Sequence, residues 1–226
     1  MKRELVYPLD YEVDATGLCL ASSMGTIYSA LVPDRKIRSD RLAQAFPELN
    51  DIDVVNLFDL IEHYDKNDLR YRLIEIADDN PRQFLDLITR ALHCGALVEL
   101  GVMSNKWLEA IGEKGRLSGA HSIVVVGTYQ PYGQKLNQAW FYVADPYRDC
   151  FLFLPARKIF SVQEHGRGLI WMSMFYPKNV SLDPKVAEET IGGNLENKRT
   201  RQKIRRRLQK EKGSKRSPFA WLFSKE

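Results

Sequence analysis

Three residues have the types and the chain order that nucleophilic acyl chemistry requires: Cys19, His121 and Asp145. Cys19 lies near the start of TGLCLASSMGTIYSALV, whose small and apolar residues occupy most of its circumference and so predict a buried helix. At a helix N-terminus, unpaired backbone N–H groups and the positive end of the dipole favour the reactive thiolate. His121 opens the apolar run HSIVVVGTY, just after Ser118, Gly119 and Ala120. Asp145 closes the next run, in VADPY, where Pro146 ends the strand ladder. A histidine starting one strand and an aspartate ending its antiparallel neighbour fall at the same sheet edge. There the carboxylate can fix the imidazole tautomer, and the imidazole can deprotonate the thiol. Ser118 and Gly119 are small enough to line a cleft by close backbone approach.

Each residue alone also has an ordinary structural reading. A lone cysteine in a helix packs in the core, a histidine before a strand caps or turns it, and Asp-Pro is a turn signal. It is the combination of order, element type and position that carries the chemical reading. Cys94 and Cys150 lack that context, and neighbouring side chains such as His93 and Cys94 diverge by about 100° on a helix. His63 and His165 stand in charged surroundings that predict surface positions, while Trp107 and Trp140 suit either a cleft wall or the core. Three scattered cysteines make no disulfide framework and point to a reducing compartment. With no zinc-ligand spacing and only four histidines, neither a metal nor another cofactor is expected.

The elements that must position these groups divide along the chain. DIDVVNLFDLIEHY (51–64) has helical periodicity, and Asn80-Pro81 resembles a cap and first helical residue opening PRQFLDLITRAL. After Gly95, the runs ALVELGV, HSIVVVGTY, WFYVADP, CFLFLP and GLIWMSMFY are separated by turn residues. A helical N-terminal half packed on a mainly antiparallel sheet is an α+β fold, expected over residues 1–180. The 44% apolar content is enough for a sizeable core and excludes a disordered or collagen-like chain. No run approaches the ~20 apolar residues of a membrane span, and the first residues lack a signal-peptide core, so a cytoplasmic protein is expected, with signal-free delivery as an effector the alternative.

The net charge of +4 hides a split: from Lys198 onward, 12 Lys/Arg face Glu211 and Glu226, leaving a net of −6 before that point. Residues 181–226 are therefore expected to form a basic arm, helical or disordered. Such an arm either simply solubilises the chain or docks on an anionic membrane or a partner protein. Nucleic acid ranks behind these, because RQKIRRRLQK has no interleaved aromatics for base stacking.

Cysteine on the first helix, with histidine and aspartate on later strands, resembles the papain-like cysteine peptidases. The local text is most similar to their bacteriocin-processing (double-glycine) peptidase-like branch. The likeness spans residues 17–149 and rests on GLCLASSMGTIYSAL, on GALVELGV with GAHSIVVVGTY, and on WFYVADPYRD. It implies a papain-like fold and cleavage of a peptide or protein substrate through a thioester, with Cys19 as nucleophile, His121 as base and then acid, and Asp145 as orienting residue. Relatives of this type also deamidate glutamine or transfer acyl groups. Two details depart from the pattern. Leu20 stands where a glycine usually follows the cysteine, and Val13, between Glu12 and Asp14, stands near the place of the usual oxyanion-hole glutamine. Losing one such donor costs about 10²–10³ in rate, so a binding module on the same scaffold remains an alternative.

Overall fold

The computed structural model describes residues 3–6, 19–32, 69–77, 79–115, 120–131, 135, 138–148, 151–163 and 169–189. The segments 51–64 and 116–119, Val13, His63, Cys150, His165 and the basic arm beyond 189 lie outside these residues. The described chain runs β1 (Arg3–Val6), α1 (Cys19–Leu31), β2 (Leu69–Ala77), α2 (Pro81–His93), β3 (Leu97–Met103), α3 (Ser104–Ile111), β4 (Ala120–Gln130), β5 (Trp140–Ala144), β6 (Leu152–Pro155), α4 (Ala156–Ser161), β7 (Leu169–Pro177) and α5 (Pro184–Glu188). This is the α+β architecture expected from the sequence. All five apolar runs after Gly95 are strands. Two strands from the N-terminal half, β1 and β2, join them.

The sheet order is β2-β7-β3-β4-β5-β6, with β1 pairing along the far half of β4, and every pairing is antiparallel. β4 is the strand to which the rest is registered. It pairs with β3 from Ala120 to Val125, with β1 from Gly127 to Gln130, and with β5 on its other edge. Residues 121–128 are buried without alternation, so both faces of this strand are covered. Helix α1 contributes Met24, Ile27 and Tyr28 to the core.

Helix α2 adds Phe84, Leu85, Leu87, Ile88, Ala91 and Leu92, and Phe84 meets Phe160 of α4 edge-on at 5.3 Å. Its start follows the expected logic: Asn80 Oδ1 accepts from the Gln83 backbone N–H at 3.0 Å, and Pro81 occupies the first helical position. The helix ends at Cys94, and Gly95 takes a left-handed φ of 89°, which lets the chain turn directly into β3.

Because this cap satisfies an otherwise orphaned donor, Asn80→Ala is expected to cost about 1 kcal/mol of unfolding free energy, and Asn80→Asp much less. Urea titration with an unchanged slope measures this, and equal stability of Asn80→Ala and the parent would exclude a contribution from the cap.

Candidate active site

Cys19 is the first residue of α1 and is half-buried. His121 is the second residue of β4, and Asp145 follows the last residue of β5. The β4–β5 register, with Val124 opposite Ala144, brings the start of one strand beside the end of the other. His121 and Asp145 consequently meet at one sheet edge, with Nε2 to Oδ1 at 2.7 Å, and both are almost fully enclosed at 2% and 1% exposure.

Local sequence explains why the carboxylate points there. In Asp145-Pro146-Tyr147-Arg148, the Arg148 N–H donates to the Asp145 carbonyl at 2.9 Å, closing a turn in which proline fixes one φ angle. The Tyr147 N–H donates to Oδ1 at 3.0 Å, an Asx-type contact that sets the side-chain rotamer. Arg148 pairs with Glu113 and so ties this turn to the segment after α3. From α3 itself, Trp107 Nε1 donates to Oδ2 at 2.6 Å. Three donors thus converge on one carboxylate. Tyr147 then lies flat against the imidazole, with centroids 4.5 Å apart and an 8° interplanar angle, and is itself 41% exposed. It shields the pair from water on that side.

The electrostatics follow from these contacts. Burial alone would lower the His121 pKa, but hydrogen bonding to Asp145 and the influence of Cys19 outweigh it and raise the value to about 9. Burial would raise Asp145, yet the imidazole, the Tyr147 N–H and the Trp107 indole hold it below its ordinary value. The other imidazole nitrogen, Nδ1, is buried and makes no hydrogen bond among the described residues. Cys19 is the group outside the aspartate pair that acts on this ring. An imidazole with one nitrogen held by a carboxylate and with Cys19 as its other hydrogen-bonding and charged neighbour can exchange a proton with that thiol.

The other sequence candidates fall elsewhere. Cys94 caps α2 and its sulfur accepts the Asp183 N–H at 3.2 Å, while His93 is exposed and bonded to the Thr89 carbonyl. Trp140 stacks on Phe153 at 4.9 Å. Trp107 is buried, and its use is a hydrogen bond rather than a cleft wall. A separate cleft of about 900 Å³ beside α2 includes Asp86, Arg90, Asp183 and Lys185, whose charges neutralise one another in contacts of 2.6–3.1 Å. Sequence reasoning assigned no role to Tyr147 or to Trp107 as a donor. The signal for the first was its place two residues after an aspartate in a turn.

Nitrogen-detected NMR should find the His121 ring protonated at neutral pH and titrating near 9, with Asp145→Asn moving that midpoint down. The raised value also means that the pair stabilises the fold fully below the ordinary histidine range near 6.5, a contribution lost as pH rises through about 9. Asp145 acts in the opposite sense, its contribution being lost as pH falls below the ordinary carboxylate range. A midpoint unchanged by Asp145→Asn would refute the electrostatic assignment.

No family model and no curated protein matches this chain. Among solved structures it is similar to a double-glycine-motif protease from an AMS/PCAT transporter, crystallised with its leader peptide, at 11% identity over 76% of this chain and 94% of that one, with a TM-score of 0.46. It is also similar to a protein described as a C39-like peptidase from Bacillus anthracis, at 12% identity over 79% of this chain and all of that one, again with a TM-score of 0.46.

Proposed function

We propose that this protein is a thiol-dependent hydrolase of peptide or amide bonds, working through Cys19, His121 and Asp145 on a papain-like scaffold. The observation that carries the reading is the buried His121–Asp145 hydrogen bond of 2.7 Å beside a cysteine that opens a helix. In the first half-reaction the thiolate, its proton already held by the His121 imidazolium, attacks the scissile carbonyl. The tetrahedral intermediate collapses as the imidazolium gives its proton to the departing amine, leaving a thioester on Cys19. Water then attacks the thioester, its proton passing to His121, and the carboxylic acid leaves as the thiol is restored. Asp145 keeps the ring oriented and stabilises its charged form. Backbone N–H groups at the start of α1 are suited to receive the oxyanion.

The same sequence of steps serves glutamine deamidation, where the leaving amine is ammonia, and acyl transfer, where another nucleophile replaces water. A substrate screen with peptides, glutamine-bearing proteins and primary amines separates these outcomes. A peptide or protein is the expected partner in each. A catalytically silent binding module would instead retain its partner in Cys19→Ala and lack turnover in the parent. The basic arm, expected from sequence either to solubilise the chain or to dock on an anionic membrane or a partner protein, lies outside the described residues.

Cys19→Ala is expected to reduce turnover to background, while Asp145→Asn lowers kcat by up to about 10⁴-fold and leaves a residue of activity. Since the imidazolium is the acid that frees the amine, activity should fall as pH rises through about 9. That limb should shift to lower pH in Asp145→Asn. Full turnover by Cys19→Ala would sink the proposal.

A further inference from the structure

Glu99 lies in the middle of β3, a central strand, and is only 5% exposed. A carboxyl in such a place is costly unless it is paired or neutral. Its register partner is Ser173 of β7 on one side and Val124 of β4 on the other, with Ser122 two residues along β4 on the same face. The Ser122 hydroxyl lies 2.8 Å from Glu99 Oε1 and 2.9 Å from the Ser23 hydroxyl of α1. Ser23 Oγ in turn lies 3.3 Å from the Ser122 carbonyl. Behind Ser173, the Tyr71 hydroxyl of β2 is 3.3 Å from Ser173 Oγ.

Each hydroxyl has one proton, so the direction of this chain depends on the carboxyl. When Glu99 carries a proton on Oε1 it donates to Ser122, Ser122 donates to Ser23, and Ser23 donates to the Ser122 carbonyl. Every proton is then used, and α1 is bonded to β4 twice. When Glu99 is ionised, Ser122 must donate to it, Ser23 turns its proton to the Ser122 hydroxyl, and the bond to the carbonyl is given up. Ser23 is four residues after Cys19 on the same helix face, and Ser122 follows His121 directly. The relay therefore joins the two elements that bear the thiol and the imidazole.

We propose that Glu99 is a positioning residue for the Cys19–His121 pair, acting through Ser122 and Ser23 to hold α1 against β4, more firmly when its carboxyl carries a proton. This rests on the hydrolase reading above. The groups around Glu99 are Ser122 from β4, Ser173 from β7 with Tyr71 of β2 behind it, and the neutral Ser23 from α1 beyond Ser122, while the charge of His121 acts from the opposite face of β4. Burial raises its pKa to about 7 against the lowering pull of Ser122, Ser173 and His121, so the relay changes direction near neutrality.

The test is the rate of iodoacetamide labelling of Cys19 in the full chain between pH 5 and 9, read by mass spectrometry, with thermal melts confirming that each variant is folded. A free thiol reacts faster as pH rises. The parent is expected instead to slow between pH 6 and 8 by about three- to tenfold, the equilibrium worth of one neutral hydrogen bond. Ser23→Ala should be slow at pH 6 and lack the fall. Glu99→Gln, whose amide donates to Ser122 at every pH, should also lack the fall and recover the rate that Glu99→Leu loses. A parent rate that does not fall over this range, or a fall that survives in Ser23→Ala or Glu99→Gln, overturns the relay. His121→Ala separates the two ideas. If it labels as fast as the parent at pH 6, the hydrolase reading itself fails. If it slows while the relay variants match the parent, only the relay fails.

Discussion

The buried hydrogen bond between His121 and Asp145 is the interaction around which this end of the molecule is organised. A carboxylate enclosed by protein is costly unless it is paired with charge and its remaining lone pairs are filled. Here the imidazole supplies the charge, and the Trp107 indole and Tyr147 N–H fill the lone pairs. Each donor comes from a different element: β4, α3 and the turn after β5. The sheet register must therefore be right before the pair can form, and a slip of one residue would turn His121 to the other face.

Strand β4 is where these requirements meet. It carries His121 at its start, takes the Asp145-bearing strand on one edge and β3 on the other, and receives α1 through Ser122. Its residues from 121 to 128 are all buried, and Ile123, Val124, Val125 and Val126 pack in the core. Placing His121 at the end of so confined a strand, with Asp145 beside it, gives both positions that the core enforces, while Cys19 stays partly accessible at the tip of a helix.

Much of this frame is legible in the sequence because it follows from local pattern. The small, apolar helix beginning at Cys19, the Asn80-Pro81 cap and the five strand runs each have signals within a dozen residues. The edge position of His121 and Asp145 follows from strand order alone. What escapes is set by distance along the chain. Glu99 stands inside the apolar run ALVELGV and looks like a solvent-facing strand residue. Its direct partners, Ser122 and Ser173, and Ser23 beyond Ser122 share no local motif with it. The Trp107 bond to Asp145 likewise spans 38 residues. β2 escapes for another reason: Arg70 and Arg72 alternate with apolar residues, but the adjacent Leu73 and Ile74 break the period of two, in a part of the chain dominated by helical periodicity.

The two buried carboxyls also show how one sheet can shift two acids in opposite directions. Asp145 and Glu99 are about equally enclosed, and burial pushes the pKa of both upward. Asp145 directly contacts the imidazole and is held ionised. Glu99 meets chiefly hydroxyls, feels His121 only at a distance, and is left near neutrality. The difference lies in where a single positive charge sits relative to each. Because His121 acts on both, its charge state links them: gain of a proton by the imidazole favours ionised Asp145 strongly and ionised Glu99 weakly. Carboxyls driven apart in this way are suited to different tasks, one to hold an imidazolium and the other to hold a helix.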